Sequence, residues 1–220
     1  MEGKVILITG SSIGIGKEAV LKFAKEKARV VITYNNSEEE ARKTEEECKA
    51  LGSEVLVVKL DITNDEDIKR VVKEVIEKFG HIDILVNNAG WAVQEKLENS
   101  SYENIEKQLR INVEGLIKMT KECLPHIKDC IINIGSGIAK KGFGTLSVYS
   151  ATKFAVRGFT QALSQEVDFD VFCVNPGMTA TKLTSFKGTP AEKVGEVILK
   201  TAKREYGKSS GQDIDVWEYV

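Results

Sequence analysis

Short apolar runs alternate with longer stretches of helical periodicity along this chain. The runs are rich in β-branched residues and lack polar alternation, which is typical of strands covered on both faces of a parallel sheet. They lie at residues 4–9, 29–34, 54–60, 83–88, 130–135 and 170–175, with 213–217 as a candidate edge strand. Helical spacing predicts helices at 14–27, 37–51, 65–79, about 101–124, 147–167 and 190–204. This alternation predicts an α/β protein with an open, doubly wound parallel sheet of six or seven strands and helices on both faces.

The composition excludes several classes of partner. The chain has 220 residues, 42% of them hydrophobic, which suits one domain over residues 1–220. Its formal charge is −2 with interspersed signs, so nucleic acid and membrane surfaces are not expected as partners. No stretch approaches the ~18 apolar residues that a membrane span needs. The first apolar run is also too short for a signal peptide, so we expect a cytoplasmic protein.

The cysteines and histidines do not indicate a metal site. Four cysteines, at 48, 123, 130 and 173, have no ligand-like spacing and are expected to be buried free thiols. The two histidines, His81 and His126, are expected at helix ends or in loops rather than as ligands. No metal is therefore expected.

The glycine-rich segment TGSSIGIG occupies residues 9–16, between the first apolar run and the first helical stretch. Glycines at 10, 14 and 16 let the chain turn sharply and let backbone N–H groups approach a pyrophosphate at a helix N-terminus. The strand–turn–helix context predicts a dinucleotide-binding site, although the spacing is GxxxGxG rather than GxGxxG. The alternative is a glycine-rich turn without a ligand.

The end of the second apolar run bears on which dinucleotide binds. In dinucleotide folds an acidic residue at the end of the second strand hydrogen-bonds the adenosine ribose and disfavours a 2′-phosphate. Tyr34, Asn35 and Asn36 stand there instead, and none carries a negative charge. No arginine or lysine stands at this strand end, and Ile13 occupies a loop position where a base could have helped. The missing repulsion favours NADP(H) over NAD(H), with NAD(H) left open.

Further motifs follow along nearly the whole chain: LDIT with Asp61, NNAG at 87–90, INVEG with Asn112, then Ser136, YSATK at 149–153 and PGMTAT at 176–181. Each motif alone is modest, but their order and spacing together are specific. With the glycine-rich turn, they resemble the short-chain dehydrogenase/reductase family, in its short single-domain branch.

The resemblance implies a Rossmann-type fold that holds NAD(P). The implied cofactor-binding positions are Gly10, Ser12, Gly14, Ile15, Gly16, Tyr34, Asn35, Asp61, Ile62, Asn88, Ala89, Gly90, Tyr149, Lys153, Pro176, Gly177, Thr179 and Thr181. Simpler interpretations stay open for three of these motifs. Asp61 could cap the following helix, NNAG could be only a turn, and PG could merely end a strand.

Asn112, Ser136, Tyr149 and Lys153 match the family's catalytic set. A helix places Tyr149 and Lys153 one turn apart, although such a pair in isolation is most often a surface pair. A free phenol has a pKa of about 10, and an ammonium ~4 Å away at an effective dielectric of ~20 contributes up to ~4 kcal/mol. We therefore expect Lys153, helped by the charge of an oxidised nicotinamide, to lower the pKa of Tyr149. Ser136 would hold the substrate oxygen.

Asn112 stands in the middle of a predicted helix. The resemblance implies that it keeps a local helix distortion or a water in place to resupply protons. The alternative is a solvent-facing polar residue.

The chain departs from the family pattern at two places. Only residues 178–188 separate Gly177 from the next helix, so the substrate lid common in the family is expected to be shortened. The C-terminus ends in DIDVWEYV, where Trp217 and Tyr219 are either an oligomer contact or packed on their own domain.

The sequence thus predicts an enzyme: an NADP(H)-dependent oxidoreductase that interconverts a carbonyl and an alcohol, with 3-oxoacyl reduction as one version. The alternative is a non-enzymatic NAD(P)-sensing regulatory protein, which would not need Asn112, Ser136, Tyr149 and Lys153 together. The expected partners are a small-molecule substrate and, by the resemblance, a second or further copy of the chain in a homodimer or homotetramer.

Overall fold

A computed structural model describes the backbone of residues 1–220 and every side chain except that of Leu183. Seven strands, numbered in chain order, form one parallel sheet: Val5–Ile8 (β1), Arg29–Tyr34 (β2), Val55–Lys59 (β3), Ile82–Asn87 (β4), Ile127–Ile134 (β5), Asp170–Asn175 (β6) and Asp213–Asp215 (β9). Thr179–Ala180 (β7) and Thr189–Pro190 (β8) pair separately. The order across the large sheet is β3-β2-β1-β4-β5-β6-β9, which confirms the doubly wound prediction.

Helices lie between successive strands of the large sheet. Their bounds are Gly14–Lys25 (α1), Glu38–Ala50 (α2), Asp65–Phe79 (α3), Tyr102–Leu109 (α4), Leu116–Cys123 (α5), Ser147–Leu163 (α6) and Ala191–Ala202 (α7). Helix α3 shows why the predicted ends hold. The Asn64 side chain accepts from the N–H groups of Glu66 and Asp67 at its start, and Gly80 ends it in the left-handed conformation.

The predicted long helix over about 101–124 is present at 102–123, but it is not α-helical throughout. Residues Arg110–Gly115 between α4 and α5 form a π-helical stretch, which widens the helix by one residue per turn. Asn112 lies within this stretch and is buried. The local distortion expected at Asn112 is therefore present in the backbone.

The core consists of two layers, one on each face of the sheet. Ile6 and Ile8 pack into the layer beneath α1, α2 and α7, whereas Val5 and Leu7 pack into the layer beneath α3, α5 and α6. Alternate residues of one strand thus enter opposite layers, because successive side chains point to opposite faces. Both faces are apolar, which explains the uninterrupted hydrophobic runs in the sequence.

Three further sequence expectations can be compared with the structure. All four cysteines are buried and free. Among the described residues, no helix is long and apolar enough to cross a membrane. Within the same part of the chain, no cluster of three or more His, Cys, Asp or Glu side chains could hold a metal ion.

The order of the sheet fixes where a ligand can bind. Strand β1 has β2 on one side and β4 on the other, so the connections leave in opposite directions from this point. Open α/β sheets bind ligands in the crevice at the carboxyl ends of the strands beside such a switch point.

Candidate active site

The predicted site residues all come from the carboxyl ends of strands or from the helices beside them. Residues 10–16 follow β1, Tyr34 ends β2 with Asn35 directly after it, and residues 61 and 62 follow β3. Residues 88–90 follow β4, Ser136 follows β5, and residues 176–181 follow β6. Parallel strands bring all of these segments to one edge of the sheet, while α6 adds Tyr149 and Lys153.

The glycine-rich turn has the geometry of a phosphate cradle. Gly14 has φ +62°, a conformation that favours glycine, and a Cβ at Gly16 would lie 2.5 Å from the carbonyl oxygen of Gly10. Helix α1 begins after Ile13 with no side-chain cap and no acidic residue in its first turn. Its N-terminal N–H groups and partial positive charge therefore fit a pyrophosphate, so the residues present fit a dinucleotide.

The end of β4 fastens this turn to the sheet. The Asn88 Nδ2 donates to the carbonyl oxygens of Thr9 and Gly10, both at 2.9 Å. The Thr9 hydroxyl accepts from the N–H groups of Asn88 and Ala89. NNAG is therefore more than a turn, because it braces the glycine-rich segment across the crevice.

The PG segment also reaches this crevice. A Cβ at Gly14 would lie 3.4 Å from Cγ2 of Thr181, so the segment after β6 passes beside the glycine-rich turn. The Pro176 carbonyl accepts from the N–H of Gly137, and the Thr179 hydroxyl donates to the Gly177 carbonyl. The segment thus connects the Ser136 loop with the phosphate cradle.

The adenosine end of the crevice differs in part from the sequence expectation. Tyr34 lies beside Glu38 of α2, and the Glu38 carboxylate is 3.6 Å from the Arg42 guanidinium. Burial and the nearby Glu38 carboxylate raise the pKa of Tyr34, and the Arg42 guanidinium opposes that rise. No arginine or lysine stands at the strand end itself, but helical spacing brings Arg42 of α2 back toward it.

Asp61 does not cap helix α3, since Asn64 does. Its carboxylate accepts from the N–H and the hydroxyl of Thr63, at 2.9 and 2.7 Å, and so closes a tight turn after β3. The neighbouring Ile62 is buried. Their predicted position at an adenine ring stays a prediction.

The Asn112 side chain holds the segment after NNAG in place through hydrogen bonds. Its Oδ1 accepts from the N–H of Trp91 at 2.7 Å, and its Nδ2 donates to the Trp91 carbonyl at 2.8 Å and to the Thr152 hydroxyl at 3.1 Å. A solvent-facing Asn112 is thereby excluded. The π-helical stretch, the NNAG segment and α6 are joined by this one side chain.

Ser136, Tyr149 and Lys153 lie together beside Asn112. The Tyr149 hydroxyl lies near enough to Ser136 for that side chain to lower the pKa of the phenol. The Lys153 ammonium donates to the Ile134 carbonyl at 2.8 Å and lies 5.7 Å from the centroid of the Tyr149 ring. A Cβ at Gly90 would lie 3.8 Å from Lys153 Nζ, so the end of β4 borders the same space. The Tyr149–Lys153 pair therefore faces the crevice and is not a surface pair.

In the ligand-free protein, burial and not Lys153 sets the direction of the Tyr149 pKa shift, and the expectation for the cofactor-bound protein stays a prediction. Burial raises the pKa of Tyr149 to about 12, and the Ser136 side chain only partly opposes the rise. Burial also lowers the pKa of Lys153 to about 8. The Lys153 ammonium is turned to a carbonyl and is itself destabilised by burial, so it does not acidify the phenol unaided.

Sequence reasoning missed Asn175 and Arg42. Asn175 ends β6, is fully buried, and accepts from the N–H of Ser136 at 3.2 Å. A polar residue that ends an otherwise apolar strand is the signal that could have drawn attention to it. For Arg42, the signal was its spacing of four from Glu38 on a helix that starts at the crevice.

Both C-terminal aromatic residues contact their own chain. Tyr219 stacks on Tyr206 with ring centroids 3.9 Å apart, so it packs on its own chain. Trp217 is 48% exposed and contacts the loop after β5, since a Cβ at Gly137 would lie 3.0 Å from its Cζ3.

Comparison with known proteins agrees with this geometry. The model of the short chain dehydrogenase family matches residues 4–191. The chain is 31% identical to the 3-oxoacyl-[acyl-carrier-protein] reductase FabG of Thermotoga maritima, over 98% of this chain and 97% of that protein. It is 36% identical to the chloroplastic NADPH-dependent aldehyde reductase 1 of Arabidopsis thaliana, over 98% of this chain and 77% of that protein.

A solved structure has the same architecture. A short chain dehydrogenase from Burkholderia cenocepacia, in complex with NADP, superimposes with a TM-score of 0.92. It is 28% identical, and the match covers 97% of this chain and 96% of that one. With the matched family model, the parallel sheet and the cradle beside the Tyr149–Lys153 pair, this chain belongs to the short-chain dehydrogenase/reductase family of NAD(P)-binding oxidoreductases.

Proposed function

We propose that residues 1–220 form a single catalytic domain that reduces a carbonyl to an alcohol, or the reverse, with NADP(H) as cofactor and Tyr149 as the proton donor or acceptor. The main support is the shared position of Ser136, Tyr149 and Lys153 at the carboxyl edge of the sheet. The Tyr149 hydroxyl lies beside Ser136, and Lys153 lies one helical turn further along α6.

Each residue has a role that follows from its surroundings. The Ser136 hydroxyl donates to the carbonyl oxygen of the substrate and holds it against the Tyr149 hydroxyl, which supplies the proton. When bound, the nicotinamide dinucleotide supplies the hydride. Asn112 fixes the backbone of Trp91 and so the wall of the cleft on the side of β4.

In the reducing direction Tyr149 acts from its protonated form, which a phenol holds at neutral pH. A phenol with a pKa of about 12 is protonated at neutral pH and is therefore available as a donor. In the oxidising direction the phenol must lose its proton first. The Lys153 ammonium and the positive charge of an oxidised nicotinamide favour that loss together, because both stabilise a phenolate.

The preference for NADP(H) is supported by Arg42. Its guanidinium is half-exposed near the end of β2 and can interact with a 2′-phosphate. Glu38 acts in the opposite direction, because its carboxylate repels a phosphate. The NADPH-dependent aldehyde reductase and the NADP-bound dehydrogenase among the relatives add support.

The substrate proposed is an apolar carbonyl compound, with a 3-oxoacyl thioester as one version. Phe143, Met178 and Phe186 are 63%, 66% and 70% exposed on segments that follow β5 and β6. We propose that the lid over 178–188 is short and leaves an open cleft with these apolar side chains at its mouth. The relative named as a 3-oxoacyl reductase supports the specific version.

A homodimer or homotetramer is proposed as the working state. Leu109, Ile117 and Phe154 are 44%, 38% and 44% exposed on α4, α5 and α6. Exposed large apolar side chains on these helices favour contact with another copy. Light scattering after gel filtration measures the mass directly, and a monomer at micromolar concentration would contradict the proposal.

The function is tested in two steps. Equilibrium binding of NADPH and NADH establishes cofactor use, and a panel of aldehydes, ketones and 3-oxoacyl thioesters then tests turnover through nicotinamide absorbance. Dinucleotide-dependent reduction that is lost in Tyr149→Phe supports the proposal. Dinucleotide binding without turnover of any compound in the panel would contradict it.

A further inference from the structure

Ser136 and Tyr149 lie on separate elements, the loop after β5 and helix α6. Their mutual distance therefore depends on what holds the loop against the helix. Behind them lies the edge strand β9, with two acidic residues, Asp213 and Asp215, that the proposed chemistry does not use. Their side chains are 13% and 10% exposed. Carboxylates this well covered need nearby cations or hydrogen-bond donors.

The first connection runs from β9 to the Ser136 loop. Asn175 Nδ2 donates to Asp213 Oδ1 at 3.1 Å and to Asp215 Oδ1 at 3.0 Å. The Oδ1 of the same amide accepts from the N–H of Ser136 at 3.2 Å. Asn175 is fully buried, so its orientation is fixed by these bonds.

Lys140 makes a second connection to the same loop. It lies four residues after Ser136, donates to Asp215, and stands 3.4 Å from Oδ2 of Asp213. Burial lowers the pKa of Lys140, but the ion pairs with Asp215 and Asp213 outweigh it and leave the pKa raised. The ammonium therefore stays charged at neutral pH.

The third connection runs from β9 to helix α6. Arg157 lies one turn beyond Lys153 and two turns beyond Tyr149 on that helix. Its Nε donates to Asp213 Oδ2 at 2.8 Å. The helix that carries the tyrosine and the loop that carries the serine therefore meet at the same pair of carboxylates.

Trp217 covers the back of this arrangement. Its ring contacts Gly137, the residue after Ser136, and the Lys140 ammonium lies 5.9 Å from the centroid of the indole ring. The C-terminal segment thus supports the Ser136 loop through packing as well as through charge.

We propose that Asp213 and Asp215, acting through Asn175, Lys140 and Arg157, form a clamp that positions Ser136 relative to Tyr149. The clamp residues are positioning residues, since they act through Ser136 and α6 rather than on the substrate. The inference rests on the proposed function, because it assigns the clamp a purpose in that reaction. Small misplacements of catalytic groups cost large factors in rate, so a weak set of ion pairs can still control turnover.

The test uses Asp215→Asn, Lys140→Met and the double variant in the full chain. We expect kcat for carbonyl reduction to fall about tenfold in each, with the Kd for NADPH within about twofold of wild type. The double variant should resemble either single variant, because both remove the same connection. Lys140→Arg keeps the charge and should retain most of kcat.

A matched control lies at the opposite edge of the sheet. Asp129 is also well covered and pairs with Lys4 and Arg204, far from the carboxyl ends of the strands. Asp129→Asn should lower the melting temperature at least as much as Asp215→Asn but leave kcat unchanged. A kcat within twofold of wild type in both Asp215→Asn and Lys140→Met would overturn the clamp. An equal loss of kcat in Asp129→Asn would overturn it too, because the effect would then be general destabilisation.

Hydrogen exchange gives a readout that does not depend on turnover. The N–H groups of Ser136 and Gly137 should exchange faster in Asp215→Asn and at the wild-type rate in Asp129→Asn. If wild type reduced no carbonyl while this difference was present, the proposed function would fail and the clamp on the loop would stand. Unchanged exchange in Asp215→Asn would overturn the clamp whatever the activity.

Discussion

Charged and titratable side chains lie at both ends of the parallel sheet, but they are paired in different ways. At the amino ends of the strands, Asp129 accepts from Arg204 at 2.6 Å and pairs with Lys4, and Arg204 also donates to Asp170 at 2.9 Å. At the carboxyl ends, Lys153 is buried with only the Ile134 carbonyl as its hydrogen-bond partner among the described residues.

The paired charges at the amino ends stabilise the fold, whereas Tyr149 and Lys153 at the carboxyl ends, which are unpaired within the described part of the chain, are available for chemistry. A paired charge keeps its ordinary ionised form because its partner replaces the lost water. Tyr149 and Lys153 lack such a partner, so burial raises the pKa of the phenol to about 12 and lowers that of the ammonium to about 8. The protonation state of such groups changes readily when a charged ligand binds. Perturbed pKa values of this kind cluster at functional sites.

Tyr149→Phe should produce the largest effect at the carboxyl end. Removal of the hydroxyl deletes the proton donor, so kcat for carbonyl reduction should fall by about 10²–10⁴. The Kd for NADPH, measured by titration of protein fluorescence, should change little because the ring is retained. Tyr102→Phe, at an exposed tyrosine on α4, is the control and should retain full activity.

Lys153→Met should separate activity from stability. Turnover should fall steeply and dinucleotide binding should weaken, because the ammonium supports both. The melting temperature at pH 7 should nevertheless rise, since burial lowers the pKa of Lys153 from 10.5 to about 8 and the folded state is destabilised by at most about 3 kcal/mol. That penalty is fully present below pH 8 and disappears as the pH rises toward 10.5, so the gain should shrink over this range.

Thermal melts of both proteins between pH 7 and pH 10 measure this trend. Lys121→Met, at an exposed lysine on α5, is the matched control and should show neither effect. A lower melting temperature for Lys153→Met at pH 7 would mean that the Ile134 hydrogen bond outweighs the burial of the charge.

Asp129→Asn tests whether the ion pairs at the amino ends of the strands serve stability alone. Loss of the carboxylate removes ion pairs with Lys4 and Arg204, so the free energy of unfolding should fall by about 1–3 kcal/mol. Denaturant unfolding measures this loss, and kcat should match wild type under conditions where the variant is folded. Reduced kcat in the folded variant would remove the distinction between the two ends.

Arg42→Ala should have the smallest effect, and it concerns the adenosine end of the crevice. Its guanidinium is 53% exposed, so we expect the Kd for NADPH to rise about three- to tenfold while the Kd for NADH stays constant. Calorimetry with both dinucleotides measures the ratio. Lys43→Ala, which removes a neighbouring cation paired with Glu39, is the control. If Arg42→Ala raised the Kd for NADPH and the Kd for NADH by the same factor, Arg42 would not contact the 2′-phosphate.

Most of the fold and of the crevice can be predicted from local sequence. The β-branched runs predict β2 and β6, and the helical spacing predicts α3 at 65–79, with the same bounds as the structure, because these features depend on neighbouring residues. The π-helical stretch at Arg110–Gly115 cannot be predicted from the hydrophobic periodicity. It goes with a hydrogen bond from Asn112 to Trp91, a contact between distant segments of the chain.

Tertiary effects account for what sequence reasoning missed at the site. The pKa direction of Tyr149 depends on burial, which is not visible in the spacing of Tyr149 and Lys153. The link between Asn175 and the carboxylates of β9 joins positions 38 and 40 residues apart, so no local pattern indicates it.

The central claim is that the Tyr149 phenol holds its proton tightly until the positively charged ring of an oxidised nicotinamide lies beside it. Its pKa can be measured by nuclear magnetic resonance of protein labelled with ¹³C at tyrosine Cζ, with the signal assigned from Tyr149→Phe. We predict a pKa of about 12 in the ligand-free protein and a fall of at least about one pH unit on saturation with NADP⁺. A ligand-free pKa below 10, or a value that NADP⁺ leaves unchanged, would contradict the account.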